Sequence, residues 1–139
     1  MKKTLLLAFL LICALKVSAD INVGNIIVTI TGLKNDKGSI VLALVNSKES
    51  FDSEEIKPFV GAVVQVKDGS ATYIFNNVPY GEYAIKFFQD ENGSGKLECG
   101  LFGLPREQYG FSNNVQSKNY KKAQFRFNQP ELTLVIKAR

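Results

Sequence analysis

Ser39-Ile40-Val41-Leu42-Ala43-Leu44-Val45-Asn46 is the stretch that decides the fold. Its apolar side chains occupy both parities: Ile40, Leu42 and Leu44 on one face, Val41, Ala43 and Val45 on the other. Successive side chains of a strand point to opposite faces of its sheet. A segment that is apolar on both faces is therefore expected in the middle of a sheet, covered from either side.

Outward from it, the period stays at two. From Asn25 to Leu33, the residues Ile26, Val28 and Ile30 share a face. Val60, Ala62, Val64 and Val66 alternate with Gly61, Val63 and Gln65. Tyr73 and Phe75 share a face, as do Tyr83, Ile85 and Phe87. Phe125 and Phe127 alternate with Gln124 and Arg126. Leu132, Leu134 and Ile136 alternate with Thr133, Val135 and Lys137. With the opening stretch, these make seven candidate strands rich in β-branched and aromatic residues. Tyr83, Ile85 and Phe87 are expected to point into the core.

The separators are turn chemistry. Asn35-Asp36-Lys37-Gly38 joins the first pair. Lys67-Asp68-Gly69-Ser70 joins the third and fourth, with Asp-Gly a strong hairpin signal. Val78-Pro79-Tyr80-Gly81 joins the fourth and fifth, where Pro79 presets φ for a turn. Asn128-Gln129-Pro130 joins the last pair. Helix is nearly absent; Lys48 to Lys57 has room for one short turn capped by Ser50 or Ser53. Seven short strands so spaced predict an all-β, antiparallel sandwich or barrel.

One segment breaks the pattern. Asp90 to Asn119 has no sustained alternation and holds Gly93, Gly95, Gly100, Gly103 and Gly110. A loop this long in a small domain is usually functional or disordered. Leu97, Leu101, Phe102, Leu104, Tyr109 and Phe111 make it too apolar for disorder, so it is expected to fold back on the strands.

The N-terminus has the three parts of a secretory signal peptide: Lys2 and Lys3, the apolar run Leu5 to Leu15, and small residues around Val17-Ser18-Ala19. The run is shorter than the roughly 20 residues that span a bilayer. The alternative is an uncleaved anchor. A lipoprotein fits less well, because Ile12 precedes Cys13. The expectation is cleavage after Ala19, a mature domain over 20–139, and a secreted or periplasmic protein with no later transmembrane segment.

Without that leader the charge changes. The chain has 17 Lys and Arg against 13 Asp and Glu. Lys2, Lys3 and Lys16 leave with the leader, so 14 basic residues remain against 13 acidic, a net charge of +1. Nucleic-acid binding needs a clustered basic face. Lys118, Lys121 and Lys122 read instead as solvated surface, so no nucleic-acid partner is expected.

Chemistry is bounded by what is missing. The chain has no His, which removes Ser-His and Cys-His nucleophiles and His-rich zinc sites. Only Cys99 remains after the leader, so no internal disulfide forms. Flanked by Leu97, Leu101 and Phe102, it is expected to be a half-buried, unreactive thiol. Asp90 and Glu98 could in principle act as an acid-base pair, but nothing specifies a pocket, and no enzyme is expected.

The sharpest string is Asp90-Glu91-Asn92-Gly93-Ser94-Gly95-Lys96-Leu97-Glu98. Oxygens recur at every second residue through Asp90, Asn92 and Ser94; Lys96 offers its carbonyl and Glu98 a carboxylate. This is the donor pattern of a calcium loop, without the bidentate Glu that would stand at Leu101. Asp90, Asn92, Ser94, Lys96 and Glu98 are thus a candidate calcium site. The alternative is a polar loop of Asx turns. Asn92-Gly93-Ser94 also fits a glycosylation sequon, read as coincidence. Tyr109, Phe111, Asn113 and Asn114 form a candidate ligand platform, against the alternative that the rings pack and the amides make a turn.

These strings resemble the bacterial exported family called domain of unknown function 2141. The likeness runs through Val28-Thr29-Ile30-Thr31-Gly32-Leu33, Lys37-Gly38-Ser39-Ile40-Val41-Leu42-Ala43-Leu44 and Val78-Pro79-Tyr80-Gly81-Glu82-Tyr83-Ala84-Ile85. It continues in Asp90-Glu91-Asn92-Gly93, Gly95-Lys96-Leu97, Gly103-Leu104-Pro105 and Gly110-Phe111-Ser112-Asn113-Asn114. The resemblance implies a transthyretin-like (prealbumin-like) sandwich in the cell envelope or outside the cell, and implies no activity. Two departures touch the polar loop. Many members have His where Gln89 stands, and Asp-Thr where Glu98-Cys99 stands. The expectation is a seven-stranded antiparallel β-sandwich with one long Gly-rich loop. Its expected role is a non-enzymatic envelope binding module of unknown ligand, with calcium as a candidate stabiliser. The alternatives are a purely structural accessory domain or a small carboxylate-dependent hydrolase.

Overall fold

The period-two segments become strands almost where their patterns begin and end. The computed structural model describes residues 22–54 and 58–139. The expected leader and the expected cleavage after Ala19 lie outside the described residues. In chain order come β1 (Val23–Thr31), β2 (Ser39–Val45), helix α1 (Lys48–Asp52), β3 (Val60–Gln65), β4 (Ala71–Pro79) and β5 (Gly81–Asp90). After a long loop follow β6 (Tyr109–Phe111), helix α2 (Tyr120–Ala123), β7 (Phe125–Phe127) and β8 (Glu131–Lys137).

The described residues form eight strands where the periodicity gives seven. The addition is β6, inside the segment read as lacking alternation. Three residues are too few to show a period. Tyr109 and Phe111 lie on one face beside Phe88 and Lys86 of β5. Gly110 between them meets Phe87, whose ring would be 2.7 Å from an added Cβ. The α1 turn is where the sequence leaves room for it, but its N-cap is Ser47, whose hydroxyl accepts from the Ser50 N–H.

Two sheets result. One has the order β4-β1-β8; the other runs β3-β2-β5-β6, with β7 also pairing β5. The doubly apolar β2 is central, as its two faces require. The all-antiparallel expectation fails at one place: β8 runs parallel to β1, from Asn25 opposite Glu131 to Thr31 opposite Lys137. The cause is the Asn128–Pro130 connection, which carries the chain from β5's neighbour β7 across to the other sheet. The Asn25 N–H donates to the Pro130 carbonyl at 2.9 Å and pins that crossing.

The same holds for the Lys67–Ser70 turn. It is tight, with Lys67 and Ser70 exchanging both backbone hydrogen bonds at 2.9 and 3.1 Å. Asp68 and Gly69 have φ of 53° and 72°. Yet β3 pairs β2 and β4 pairs β1, so the turn is a corner between sheets rather than a hairpin.

The two sheets share a core. Ile26, Val28 and Ile30 of β1, Leu42 of β2, Phe75 of β4 and Ile85 of β5 are all at most 2% exposed and belong to one cluster. Tyr83 and Phe87 join it at 4%, as the alternation requires. Each such side chain contributes roughly 1.5–3 kcal/mol by leaving water. The Tyr83 hydroxyl keeps a partner by donating to the Pro79 carbonyl at 2.7 Å.

A second, smaller cluster lies on the outer face of the larger sheet. Phe51 of α1 and Ala123 of α2 pack on Ala43, Val45, Ala84 and Phe111. The two short helices thus roof one end of that face. The other end, around Val41 and Phe88, is left for the long loop.

Candidate functional site

The polar side chains of the long loop's first half are placed by hydrogen bonds. Asp90, the last residue of β5, is 5% exposed. Its Oδ1 accepts the Ser94 N–H at 3.1 Å and its Oδ2 the Gly95 N–H at 2.8 Å. Asn92 Oδ1 also accepts from the Ser94 N–H, and the Asn92 amide donates to Glu98 Oε1 at 3.1 Å. The Ser94 hydroxyl donates to the Lys96 carbonyl at 3.0 Å. The five candidate calcium donors therefore fall in one hydrogen-bonded turn. Asn92 makes an Asx turn to the Ser94 N–H and the Ser94 hydroxyl its counterpart to the Lys96 N–H, while Asp90 reaches the N–H groups four and five residues on. Hydrogen bonds from Asn92 and Ser94 lower the Glu98 pKa, with Arg106 and Lys96 adding to the effect. No group of three or more His, Cys, Asp or Glu gathers among the described residues.

A second carboxylate holds the loop's base and is not legible from its neighbours in sequence. Glu107 is 6% exposed; its Oε1 accepts the Glu91 N–H at 3.1 Å and its Oε2 the Glu98 N–H at 3.0 Å. It closes the two ends of the turn against one another. Beside it, Gln108 accepts from the Lys34 N–H at 2.7 Å and donates to the Gly32 carbonyl at 3.0 Å. Gln89, fully buried, donates to the Asn35 and Lys37 carbonyls, while its Oε1 has no partner among the described residues. Gly38 is required here. It has φ of 65°, and an added Cβ would lie 1.9 Å from the Asp90 carbonyl oxygen.

Between this loop and the α1 end lies a cleft of about 820 Å³. Val41 and Phe88 form part of its floor, and Tyr109, Phe111, Leu97 and Cys99 are among its walls. Lysines stand on the helix side. Lys86 Nζ donates to the carbonyls of Ser50, Phe51 and Ser53 at 2.7, 3.1 and 2.9 Å. A cation there satisfies carbonyls that the end of α1 leaves open. Burial lowers the Lys86 pKa, as does the neighbouring Lys118. Lys118, read from sequence as solvated, donates to the Asp52 carbonyl at 2.6 Å. A central strand carrying a lone Lys between Ile85 and Phe87 was the available signal for Lys86.

The candidate platform divides. Tyr109 and Phe111 reach the cleft; Asn113 and Asn114 do not line it. Both have positive φ, 58° and 51°. Asn113 donates to the Lys122 and Gln124 carbonyls at 2.9 and 3.0 Å, and Asn114 accepts from the Lys137 N–H at 2.8 Å. These amides tie the end of β6 to α2 and β8. Ser112, fully buried, does the same by accepting from the Ile85 N–H at 2.9 Å and donating to the Ala123 carbonyl.

Two expectations about the loop are overturned. Leu101, Phe102 and Leu104 do not fold back: they are 82%, 98% and 67% exposed. Cys99 is exposed rather than half-buried. The loop is closed by its own backbone bonds, so these side chains need no burial to be held in place.

The model of a family described as an uncharacterized protein conserved in bacteria, domain of unknown function 2141, matches residues 28–134. No curated protein matches the chain. The chain belongs to that family.

Proposed function

We propose that this member of the domain of unknown function 2141 family is an exported, non-enzymatic binding module built on a transthyretin-like sandwich. Its ligand or envelope partner sits in the cleft beside the long loop. The observation that carries the reading is the division of one sheet face. Helices roof one end, and the other end offers an apolar floor with aromatic walls and a volume in the range of small-molecule sites. The lack of His, and the use of both Asp90 oxygens on backbone amides, favour binding over carboxylate hydrolysis. The structural-accessory reading competes only if nothing enters the cleft.

Cys99 gives direct access to the test, because it is exposed and lines the cleft. A maleimide photo-crosslinker on Cys99 is expected to capture a discrete envelope component, and Val41→Glu is expected to abolish that adduct. A Cys99→Ser, Lys137→Cys variant carries the same reagent on the other sheet. Identical adducts from both positions, or none from Cys99, would remove the cleft from the proposal. Export is checked separately by the intact mass of the mature protein, which should begin at Asp20.

Calcium is a subordinate part of the proposal. Asp90, Asn92, Ser94 and Glu98 with the Lys96 carbonyl offer oxygens within one turn, but their present hydrogen bonds compete with a cation. Binding is expected in the range of about 10⁻⁴ to 10⁻³ M. At ten times Kd it would stabilise by about 1.4 kcal/mol. Melting curves that coincide in chelator and in millimolar calcium would delete calcium and leave the cleft proposal standing.

A further inference from the structure

The polar turn that opens the long loop holds the one Asn-Gly pair of the sequence, Asn92-Gly93. Glycine has no side chain to shield its backbone nitrogen. In an Asn-Gly pair that nitrogen can attack the asparagine side-chain carbonyl, provided it is free and open to solvent. Both conditions hold here. The Ser94 N–H is taken by Asp90 and Asn92 oxygens and the Gly95 N–H by Asp90 Oδ2, but the Gly93 N–H has no acceptor among the described residues. Asn92 and Gly93 are both exposed, and nothing lies within 4 Å of where a Gly93 Cβ would stand.

The turn also prepares the group to be attacked. Asn92 Oδ1 accepts the Ser94 N–H at 3.1 Å. A fixed amide dipole beside that oxygen favours the negative charge that develops on it when Cγ is attacked. At the other end, Asn92 Nδ2 donates to Glu98 Oε1 at 3.1 Å, and this bond is the first cause of the lowered Glu98 pKa. Asp68-Gly69 offers the contrast. It is a pair of the same kind in an exposed turn, but its Gly69 N–H donates to Asp36 Oδ1 at 2.8 Å, so the nitrogen is occupied.

The chemistry balances with water alone. The Gly93 nitrogen forms a bond to Asn92 Cγ and gives up its proton. The Cγ–Nδ2 bond breaks, and Nδ2 leaves with that proton as ammonia. Water then opens the cyclic imide. Attack at Cγ leaves aspartate; attack at the backbone carbonyl leaves isoaspartate, whose main chain runs through the former side chain. Either product removes the Nδ2 donor to Glu98 and sets a new carboxylate beside that of Glu98.

We propose that Asn92 is a self-modifying site, converted to aspartate and isoaspartate within the folded chain, and that conversion unties Asn92 from Glu98 beside the cleft. Leu97 and Cys99, on either side of Glu98, line that cleft, so its loop wall loosens as the protein ages. This goes beyond the cleft reading, and the modification does not depend on it.

The test incubates the mature protein at neutral pH, folded or in urea, and follows its proteolytic peptides by mass. In the folded protein the Asn92 peptide should convert about tenfold or more ahead of any other Asn peptide, and no slower than in urea, while Asp68-Gly69 stays unisomerised. Gly93→Ala shields the nitrogen and should slow conversion by about tenfold. The converted fraction, separated by anion exchange through its added charge, should exchange the Ser94 and Gly95 amides roughly fivefold faster, with β2 and β5 unchanged. Asn92→Asp, which carries the product's charge from the start, should show the same faster exchange. Conversion confined to urea, or equal conversion at Asp68 or at another Asn, overturns the modification site. Conversion that leaves amide exchange unchanged overturns the untying.

Discussion

Phe87 and Phe102 are the same side chain on either side of the polar turn, one 4% and the other 98% exposed. Phe87 sits in a strand where alternation commits every second residue to the core, and its ring fills the space left by Gly110. Phe102 sits where the backbone is fixed by local hydrogen bonds alone, so no packing demand reaches its side chain. An apolar residue in sequence announces a need for a partner, and the surrounding period says whether the partner is inside. Within the strands the sheet supplies it. In the long loop the fold is complete without it.

The sharpest way to break this comparison is Phe87→Ala. It should lower stability by roughly 3–5 kcal/mol, as loss of a large buried aromatic does, read as a fall in the denaturant midpoint. The matching loss at Phe102 should be within about 0.5 kcal/mol, as for an ordinary surface change. Equal costs at the two sites would mean that the loop packs on the sheet after all.

Glu107→Ala tests whether hydrogen bonds rather than packing hold the loop. It strips the acceptor from the Glu91 and Glu98 amides and should cost about 2 kcal/mol. Those two amides should exchange faster with solvent while the β2 and β5 amides keep their protection. Glu107→Gln, retaining one acceptor oxygen, should fall between. Uniform loss of protection would instead make the loop part of the cooperative core.

The smallest effect is expected in acid. The Asp52 carboxyl is lowered below its ordinary value first by the Lys48 hydrogen bond, and Glu98 first by that of Asn92. A carboxylate whose folded pKa lies below its unfolded one contributes stability above the unfolded pKa. That contribution is lost as pH falls through the folded value. Asp52 is exposed and Glu98 half-exposed, so screening keeps the effect slight. Melting temperature should decline gently below the ordinary carboxylate range, and Asn92→Ala should flatten the part due to the loop. A decline of the same size in Asn92→Ala would place its source elsewhere.

Much of the fold was legible because its signals are local. Ile40 to Val45 announced a central strand through the parity of its side chains, and Tyr83, Ile85 and Phe87 declared their face in the same way. The recurrence of oxygens at Asp90, Asn92 and Ser94 was equally readable, since each bonds a backbone group a few residues on. Tyr109 and Phe111 lie along the cleft, where the pairing of β6 with β5 puts them. Asn113 and Asn114 went to tie elements together, a choice that depends on Lys122, Gln124 and Lys137 arriving from later in the chain. Glu107 gave no sign at all, because a lone acid acquires its role only when the chain returns beside Glu91 and Glu98.

The sequence by itself determined which segments are strands, which of their faces are apolar, and where the chain turns. Alternation and turn-forming residues act over a few bonds, so they are written in neighbouring letters. Only the tertiary structure decided what each strand lies beside. The corners at Lys67–Ser70 and Asn128–Pro130 look like hairpins locally, yet both cross between the sheets, and the second leaves β8 parallel to β1. A turn fixes the direction of a few residues. Strand partnership is settled by which backbone edges and apolar faces remain open once the whole chain has collapsed.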